Sequence, residues 1–215
     1  MGGETAALQT SDNVWLDARV HVPDTVAGGV VGGAIVCHPH PLYGGDMDNP
    51  VVGAIVAACV SAGLATVRFD FRGVRASAGQ HDKGTAERYD AIAAIERAEA
   101  HAPGKPIFVC GYSFGSVVGL SAARPSVIGW VGVAPPVTML HKELAAATDP
   151  SPKLLLMPEH DQFTKVADLH RATATWPDTS VTVVPMADHF LNGQLSFVRD
   201  QVSAFIAATL ASDRT

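Results

Sequence analysis

A serine in the middle of a short, glycine-flanked turn is the residue of this sequence best suited to chemistry. Residues 107–119 have the pattern of a buried strand, a sharp turn reading Gly-x-Ser-x-Gly around Ser113, and a helix of small residues. A serine on such a strand-to-helix elbow holds its hydroxyl clear of the sheet. The start of the helix adds partial positive charge beside it. The pattern predicts a nucleophile at Ser113; the alternative is a glycine-rich helix start without a chemical role.

A serine hydroxyl becomes a nucleophile at neutral pH only beside a base. In open α/β sheets the reactive groups lie just beyond the carboxyl ends of the strands. The ends of three predicted strands carry Ser113, Asp161 and His189, in that chain order. We expect His189 to be the base and Asp161 to hold its imidazole in the required tautomer. Asp70, at the end of another strand, is the second choice for the acid, whereas Asp188 is interpreted as structural.

Attack by a serine on a carbonyl carbon also needs backbone N–H groups that stabilise the oxyanion it forms. One should come from Phe114, the residue after the nucleophile, and the other from the loop that follows the strand at 34–37. That loop reads His-Pro-His-Pro-Leu-Tyr-Gly-Gly, and its two prolines have no N–H. The donor is therefore His40, Leu42 or Tyr43, and we favour His40.

Two histidines in that loop, His38 and His40, are spaced as in some metal sites. The prolines restrain the backbone between them, and no third ligand is near in sequence. We therefore expect no metal. The chemistry expected of Ser113, His189 and Asp161 needs no cofactor.

The elements around these residues alternate between strand and helix from residue 34 to the end. This alternation predicts an α/β fold, a mostly parallel sheet of about seven to eight strands with helices on both faces. A hairpin at 6–10 and 14–22 should form its antiparallel edge. We interpret residues 1–215 as a single domain. The helices are expected at 49–62, 85–100, 114–123, 140–147, 164–176 and 191–210.

Composition narrows the class of protein. Of the 215 residues, 47% are apolar and 17% are charged, which is typical of a globular chain, and the net charge is −6. No basic run is visible, so nucleic acid and membrane surfaces are not expected partners. The sequence shows neither a signal peptide nor a membrane span, and its three cysteines have apolar neighbours. We expect a cytoplasmic protein with reduced cysteines, as a monomer or homodimer.

With these residues the sequence resembles the α/β-hydrolase superfamily. It looks closest to small lidless bacterial hydrolases that carry the His-Pro-His-Pro-Leu-Tyr-Gly-Gly loop, relatives of the dienelactone hydrolase group. The elbow around Ser113, the final His189 and the Asp-Phe-Arg-Gly stretch at 70–73 also resemble this superfamily. Two departures stand out, because dienelactone hydrolases have a cysteine nucleophile and Pro158 occupies a place where glycine is usual.

The spacing between Ser113 and Asp161 leaves no room for a lid, because those 48 positions are already filled by predicted helices and strands. We therefore expect an open, shallow site roofed by loops. Its walls are predicted only as a group, which consists of Leu42, Tyr43, Val137, Met139, Leu140, Phe163 and Phe190.

Together these features predict a serine hydrolase that cleaves small or short-chain carboxylic esters through an acyl-enzyme on Ser113. The same residues could cleave thioesters, lactones or amides. A non-catalytic binding protein with this fold is the alternative from a different class. Such a protein would be distinguished by the loss of one of the three triad residues, Ser113, Asp161 and His189.

Overall fold

The computed structural model describes residues 3–23, 29–137 and 144–213. Its centre is a single eight-stranded sheet. The strands are β1 (Glu4–Gln9), β2 (Trp15–His21), β3 (Gly32–Cys37), β4 (Leu64–Phe69), β5 (Ile107–Tyr112), β6 (Val127–Val133), β7 (Lys153–Pro158) and β8 (Thr179–Val184). Their order across the sheet is β1-β2-β4-β3-β5-β6-β7-β8.

Among the described strands, β2 alone runs against the rest of the sheet. β1 pairs with β2, and β2 with β4, in antiparallel register, whereas all other neighbours are parallel. Every residue of β3, β5 and β7 is buried, as expected for strands covered by helices on both faces. The predicted mostly parallel sheet with a hairpin at its edge is confirmed.

In the described part of the chain, five helices cover the sheet. They are α1 (Pro50–Ser61), α2 (Glu87–His101), α3 (Phe114–Ser121), α4 (Val166–Ala172) and α5 (Leu195–Ser212). α1 and α5 pack together on one face, and α2 and α3 on the other, so two hydrophobic cores flank the sheet. α1 begins as predicted, because the Asn49 side chain accepts a hydrogen bond from the Val51 N–H and Pro50 occupies the first helical position.

Several predicted helices differ in their bounds. The helix expected at 164–176 is shorter and spans Val166–Ala172. The last helix begins at Leu195 and not at residue 191, because Leu191 adopts a positive φ of 57° and closes a turn with Gln194. The helix after the elbow ends at Ser121 and not at 123. Of the helix expected at 140–147, the described part contains only a 3₁₀ turn at Ala145–Ala147, and residues 140–143 lie outside the described ranges.

The three cysteines, Cys37, Cys59 and Cys110, are all buried and unpaired. Their burial agrees with the prediction of small apolar core residues. Within the described ranges, no helix is long and apolar enough to cross a membrane.

Candidate active site

The turn between β5 and α3 holds Ser113 in a strained conformation. Its φ is 52°, which L-residues rarely adopt. A Cβ atom on Gly111 would lie 2.3 Å from the Gly115 carbonyl oxygen, and one on Gly115 would lie 2.3 Å from that of His38. The Ser113 N–H donates to the Val133 carbonyl of the adjacent strand at 2.8 Å. The two glycines are therefore required by close backbone contacts.

Two hydrogen bonds connect Ser113, His189 and Asp161. The Ser113 Oγ lies 2.9 Å from His189 Nε2, and His189 Nδ1 lies 2.6 Å from Asp161 Oδ2. The second Asp161 oxygen accepts from the N–H groups of Phe163 and Thr164, which fixes the carboxylate. Because an ionised carboxylate only accepts, His189 carries its proton on Nδ1 and presents Nε2 to the serine hydroxyl. The structure thus brings together the three side chains predicted to act in concert.

The other two aspartates weighed as the acid have different partners. Asp70 is fully buried, and its carboxylate accepts from the Arg75 guanidinium at 2.5 and 3.0 Å and from the Met47 N–H. Asp188 accepts from the Phe190 N–H at 3.0 Å, which supports its structural interpretation. Of the three, Asp161 is the aspartate that contacts the His189 ring.

Sequence reasoning missed two residues that hold the main chain of His189. The Tyr112 hydroxyl donates to the His189 carbonyl at 2.9 Å, and the Gln162 side-chain oxygen accepts from the His189 N–H at 3.0 Å. Each directly adjoins a residue of the predicted triad in sequence. That adjacency was visible in the sequence, but the direction of the two side chains was not.

The loop after β3 lies beside the start of α3. The His40 carbonyl accepts from the N–H groups of Tyr43 and Gly45, and the His40 ring lies 4.8 Å from the Phe114 ring. Phe114 is the first residue of α3, so its N–H has no acceptor within the helix. The two residues predicted to donate to an oxyanion are therefore neighbours.

His38, the other histidine of this loop, is fully buried. Its Nδ1 lies 2.6 Å from the Pro39 carbonyl oxygen, and its Nε2 accepts from the Phe71 N–H at 3.0 Å. Burial lowers the pKa of His38 to about 4, so its ring is neutral at pH 7. Both nitrogens are occupied, and within 3–23, 29–137 and 144–213 no cluster of three potential ligands could hold a metal ion.

Four of the seven predicted wall residues are exposed at the surface, and one is half-buried. The exposed ones are Leu42, Tyr43, Phe163 and Phe190. Val137 is half-buried against the core, and Met139 and Leu140 lie outside the described residues. The rings of Phe163 and Phe190 lie 4.5 and 5.9 Å from the His189 ring. These two phenylalanines thus flank the histidine at an open surface.

The fold and this site together define the α/β-hydrolase class. The chain belongs to the α/β hydrolase domain family, whose model matches residues 36–209.

The proteins similar to it include the following three. An α/β serine hydrolase homologue from Coxiella burnetii is 29% identical, with a TM-score of 0.84 over 95% of this chain and 98% of that one. An α/β serine hydrolase without a lid from Xanthomonas campestris is 27% identical, with a TM-score of 0.85 over 97% and 95% of the two chains. An uncharacterized protein of Rickettsia prowazekii is 33% identical over 141 residues, which are 63% of this chain and 59% of that protein. The match therefore spans about three fifths of that relative's length.

Proposed function

We propose that this protein is a serine carboxylesterase that hydrolyses small or short-chain esters. Ser113 attacks the acyl carbon while His189 accepts its proton and then delivers that proton to the leaving alcohol. Water, deprotonated by His189, next attacks the acyl-enzyme, and the acid leaves as His189 returns the proton to the Ser113 oxygen. Asp161 stabilises the imidazolium that forms in each step. No step needs a cofactor.

The observation that carries this proposal is the continuous pair of hydrogen bonds from Ser113 Oγ through His189 to Asp161. The strained elbow supports it, because backbone strain of this kind is concentrated at functional sites. A binding protein without catalysis has no need of this arrangement.

The proposed oxyanion hole consists of the backbone N–H groups of Phe114 and His40. The contact between the two rings supports this pairing, because it brings the two residues side by side next to the nucleophile. We also propose that the loop supplying His40 reflects a relationship to the lidless hydrolases near the dienelactone hydrolase group. A cytoplasmic location, a monomeric or homodimeric state and the lack of nucleic-acid or membrane partners stay predictions.

The preference for short esters follows from the open surface around His189. The exposed rings of Phe163 and Phe190 offer contact to a small ester but do not enclose a long acyl chain. Hydrolysis of p-nitrophenyl esters from acetyl to long acyl chains tests this preference, and we expect turnover to fall with chain length. Thioesters, lactones and amides of matched acyl groups, assayed beside the esters, test the alternative bonds.

Ser113→Ala should abolish turnover, and a fluorophosphonate should label the wild type at Ser113. Ser121→Ala is the matched control, because Ser121 lies at the end of the same helix and its hydroxyl donates only to the Val118 carbonyl. Activity retained in Ser113→Ala would contradict the proposal. A wild type that resists both labelling and turnover would favour a non-catalytic protein.

A further inference from the structure

Two phenylalanine side chains are exposed beside His189. Phe163 and Phe190 are each 58% exposed, although a phenylalanine side chain is ordinarily buried. Their rings lie 4.5 and 5.9 Å from the His189 ring, both edge to face. Exposing large apolar rings to water forgoes the free energy of burying them. A pair of such rings next to a proposed catalytic group is therefore typical of a binding surface.

Hydrogen bonds of the main chain fix the position from which each ring extends. The Phe163 N–H donates to Asp161 Oδ1 at 2.8 Å, and the Phe190 N–H donates to Asp188 Oδ1 at 3.0 Å. Both rings therefore extend from turns whose backbone is already held in place. A ligand that contacts the rings does not have to order this part of the chain first.

The order of the strands places the two rings on one side of Ser113. Ser113 follows β5 in the sheet. The loop with His40 follows β3 on one flank of β5, whereas Phe163 and Phe190 follow β7 and β8 on the other flank. The proposed oxyanion donor His40 and the two rings thus lie to opposite sides of the nucleophile.

The chemistry of the proposed reaction determines which part of an ester lies on each side. The carbonyl oxygen becomes the oxyanion and points to the backbone N–H donors. The leaving oxygen must come within hydrogen-bond reach of His189 Nε2, which protonates it. The alcohol group attached to that oxygen therefore extends toward the exposed residues that flank His189, which are Phe163 and Phe190.

Two phenylalanine rings favour an aromatic ligand over a saturated one. Aromatic rings pack on one another in offset or edge-to-face geometry at centroid distances of about 4.5 to 7 Å, and such a pair is more favourable than the buried area alone predicts. Neither phenylalanine has a polar group that bonds to a hydroxyl or a charge. An alcohol with an aromatic ring thus gains more at this surface than a saturated alcohol of the same size.

We propose that Phe163 and Phe190 form the alcohol subsite, and that they select esters whose alcohol carries an aromatic ring. This proposal rests on the proposed esterase function and adds the class of alcohol to it. It concerns the leaving group and is separate from the preference for short acyl chains.

The test compares two acetate esters whose alcohols have the same size. Benzyl acetate and cyclohexylmethyl acetate have an aromatic and a saturated ring of six carbons, and both give the same acetyl-enzyme on Ser113. The ratio of their kcat/KM values therefore reports acylation alone. Dividing it by the ratio for hydrolysis by hydroxide corrects for the acidity of the two alcohols. We expect the wild type to prefer the benzyl ester by about threefold or more after this correction.

Phe163→Leu and Phe190→Leu should each lower this preference, and the double substitution should remove it. Leucine keeps an apolar side chain and the backbone N–H, so the hydrogen bond from position 163 to Asp161 is retained. Because the ratio compares two substrates in one enzyme, a change in overall activity does not affect it. Trp15→Leu is the matched control, since Trp15 is 52% exposed on β2, toward the opposite edge of the sheet. Its ratio should equal that of the wild type.

A second measurement uses the reverse of the same step, with p-nitrophenyl acetate as the acyl donor. An added alcohol attacks the acetyl-enzyme from the alcohol subsite: its oxygen bonds to the acyl carbon and His189 removes its proton. The bond to Ser113 Oγ then breaks as His189 returns the proton to that oxygen. Benzyl alcohol should yield more ester than cyclohexylmethanol at equal concentration, and Phe163→Leu should reduce this advantage.

The outcomes separate this proposal from the function on which it rests. A wild type without the corrected preference, or a double variant that keeps it, overturns the alcohol subsite. A loss of activity in the variants that is equal for both esters also overturns it, because the rings would then shield His189 instead of binding the alcohol. In each of these cases Ser113-dependent turnover of both esters leaves the esterase function standing. Absence of Ser113-dependent turnover for every ester overturns both proposals.

Discussion

The hydroxyl of Tyr112 donates a hydrogen bond to the carbonyl of His189, at 2.9 Å and across 77 positions of the chain. Tyr112 directly precedes Ser113, so the strand that carries the nucleophile also holds the main chain of the histidine. Gln162 directly follows Asp161 and also holds the main chain of His189, because its side-chain oxygen accepts from the His189 N–H. The three proposed catalytic residues are thus also connected through their neighbours in sequence.

Tyr112→Phe should lower kcat by about fivefold with little change in KM, because a neutral hydrogen bond contributes about 1 kcal/mol. Burial raises the pKa of Tyr112 well above its usual value, so the hydroxyl remains a donor across the assay range. Steady-state kinetics and the rate of fluorophosphonate labelling would both report the loss. Tyr89→Phe is the control, since Tyr89 is partly exposed on α2. Equal labelling rates in Tyr112→Phe and the wild type would exclude a positioning role.

Asp161→Asn should lower kcat by about three to four orders of magnitude, because an amide favours the wrong imidazole tautomer at His189. Asp188→Asn removes the charge of an aspartate next to His189 that bonds to the Phe190 N–H. We expect Asp188→Asn to retain most of its activity in the same kinetic assay. A nearly unchanged Asp161→Asn would assign the acid role to another residue.

How far the sequence predicts this site depends on the kind of signal each residue carries. Ser113, Asp161 and His189 lie at strand ends, and parallel strands bring such ends to one edge of the sheet. Their proximity therefore followed from the order of the elements. The positions of Tyr112 and Gln162 in the sequence do not indicate their roles. Those roles depend on the directions of their side chains toward His189, which lies 77 and 27 positions away along the chain.

Gly115→Ala should destabilise the fold by at least about 3 kcal/mol, because its Cβ would lie 2.3 Å from the His38 carbonyl oxygen and the backbone would have to shift. Gly53→Ala is the matched glycine substitution. Gly53 lies within α1, and its Cβ position meets no atom within 4 Å, so alanine should stabilise by up to about 1 kcal/mol. Urea unfolding of the two variants measures the difference. Equal free energies of unfolding would contradict the close packing of the elbow.

His38 should make the protein less stable in acid. Its pKa is about 4 in the folded protein, against an ordinary value of 6.5 for an unfolded chain, so the unfolded chain binds a proton first as the pH falls. The stabilisation is complete above pH 6.5 and is lost between pH 6.5 and 4, by about 3 kcal/mol at most. Asp90 has the opposite effect on stability as the pH falls, because burial raises its pKa to about 6 and the folded protein binds that proton first.

A comparison of the wild type with His38→Asn isolates this contribution, since asparagine does not titrate and can still donate to one carbonyl and accept one N–H. Thermal unfolding from pH 7 to pH 4 should show a shallower loss of stability in His38→Asn. Parallel curves for the two proteins would show that His38 is not the titrating group.

The boundaries of the site were less predictable than its centre. The contact of His81 Nδ1 with Glu87 Oε1, at 2.6 Å, depends on how the loop at 73–84 folds against α2, and no periodicity in the sequence describes a loop. The start of α5 was misplaced for a similar reason. Leu191 has the apolar character of a helical position but adopts a positive φ within a turn.

The burial of all three cysteines has a practical consequence. The chain contains no others, so its surface offers no thiol to a maleimide reagent. A cysteine introduced at the exposed Leu42 would then be the single labelling point, in the loop that also contains His40. An environment-sensitive dye placed there would report the binding of an ester in real time, in a Ser113→Ala background that does not turn the ester over.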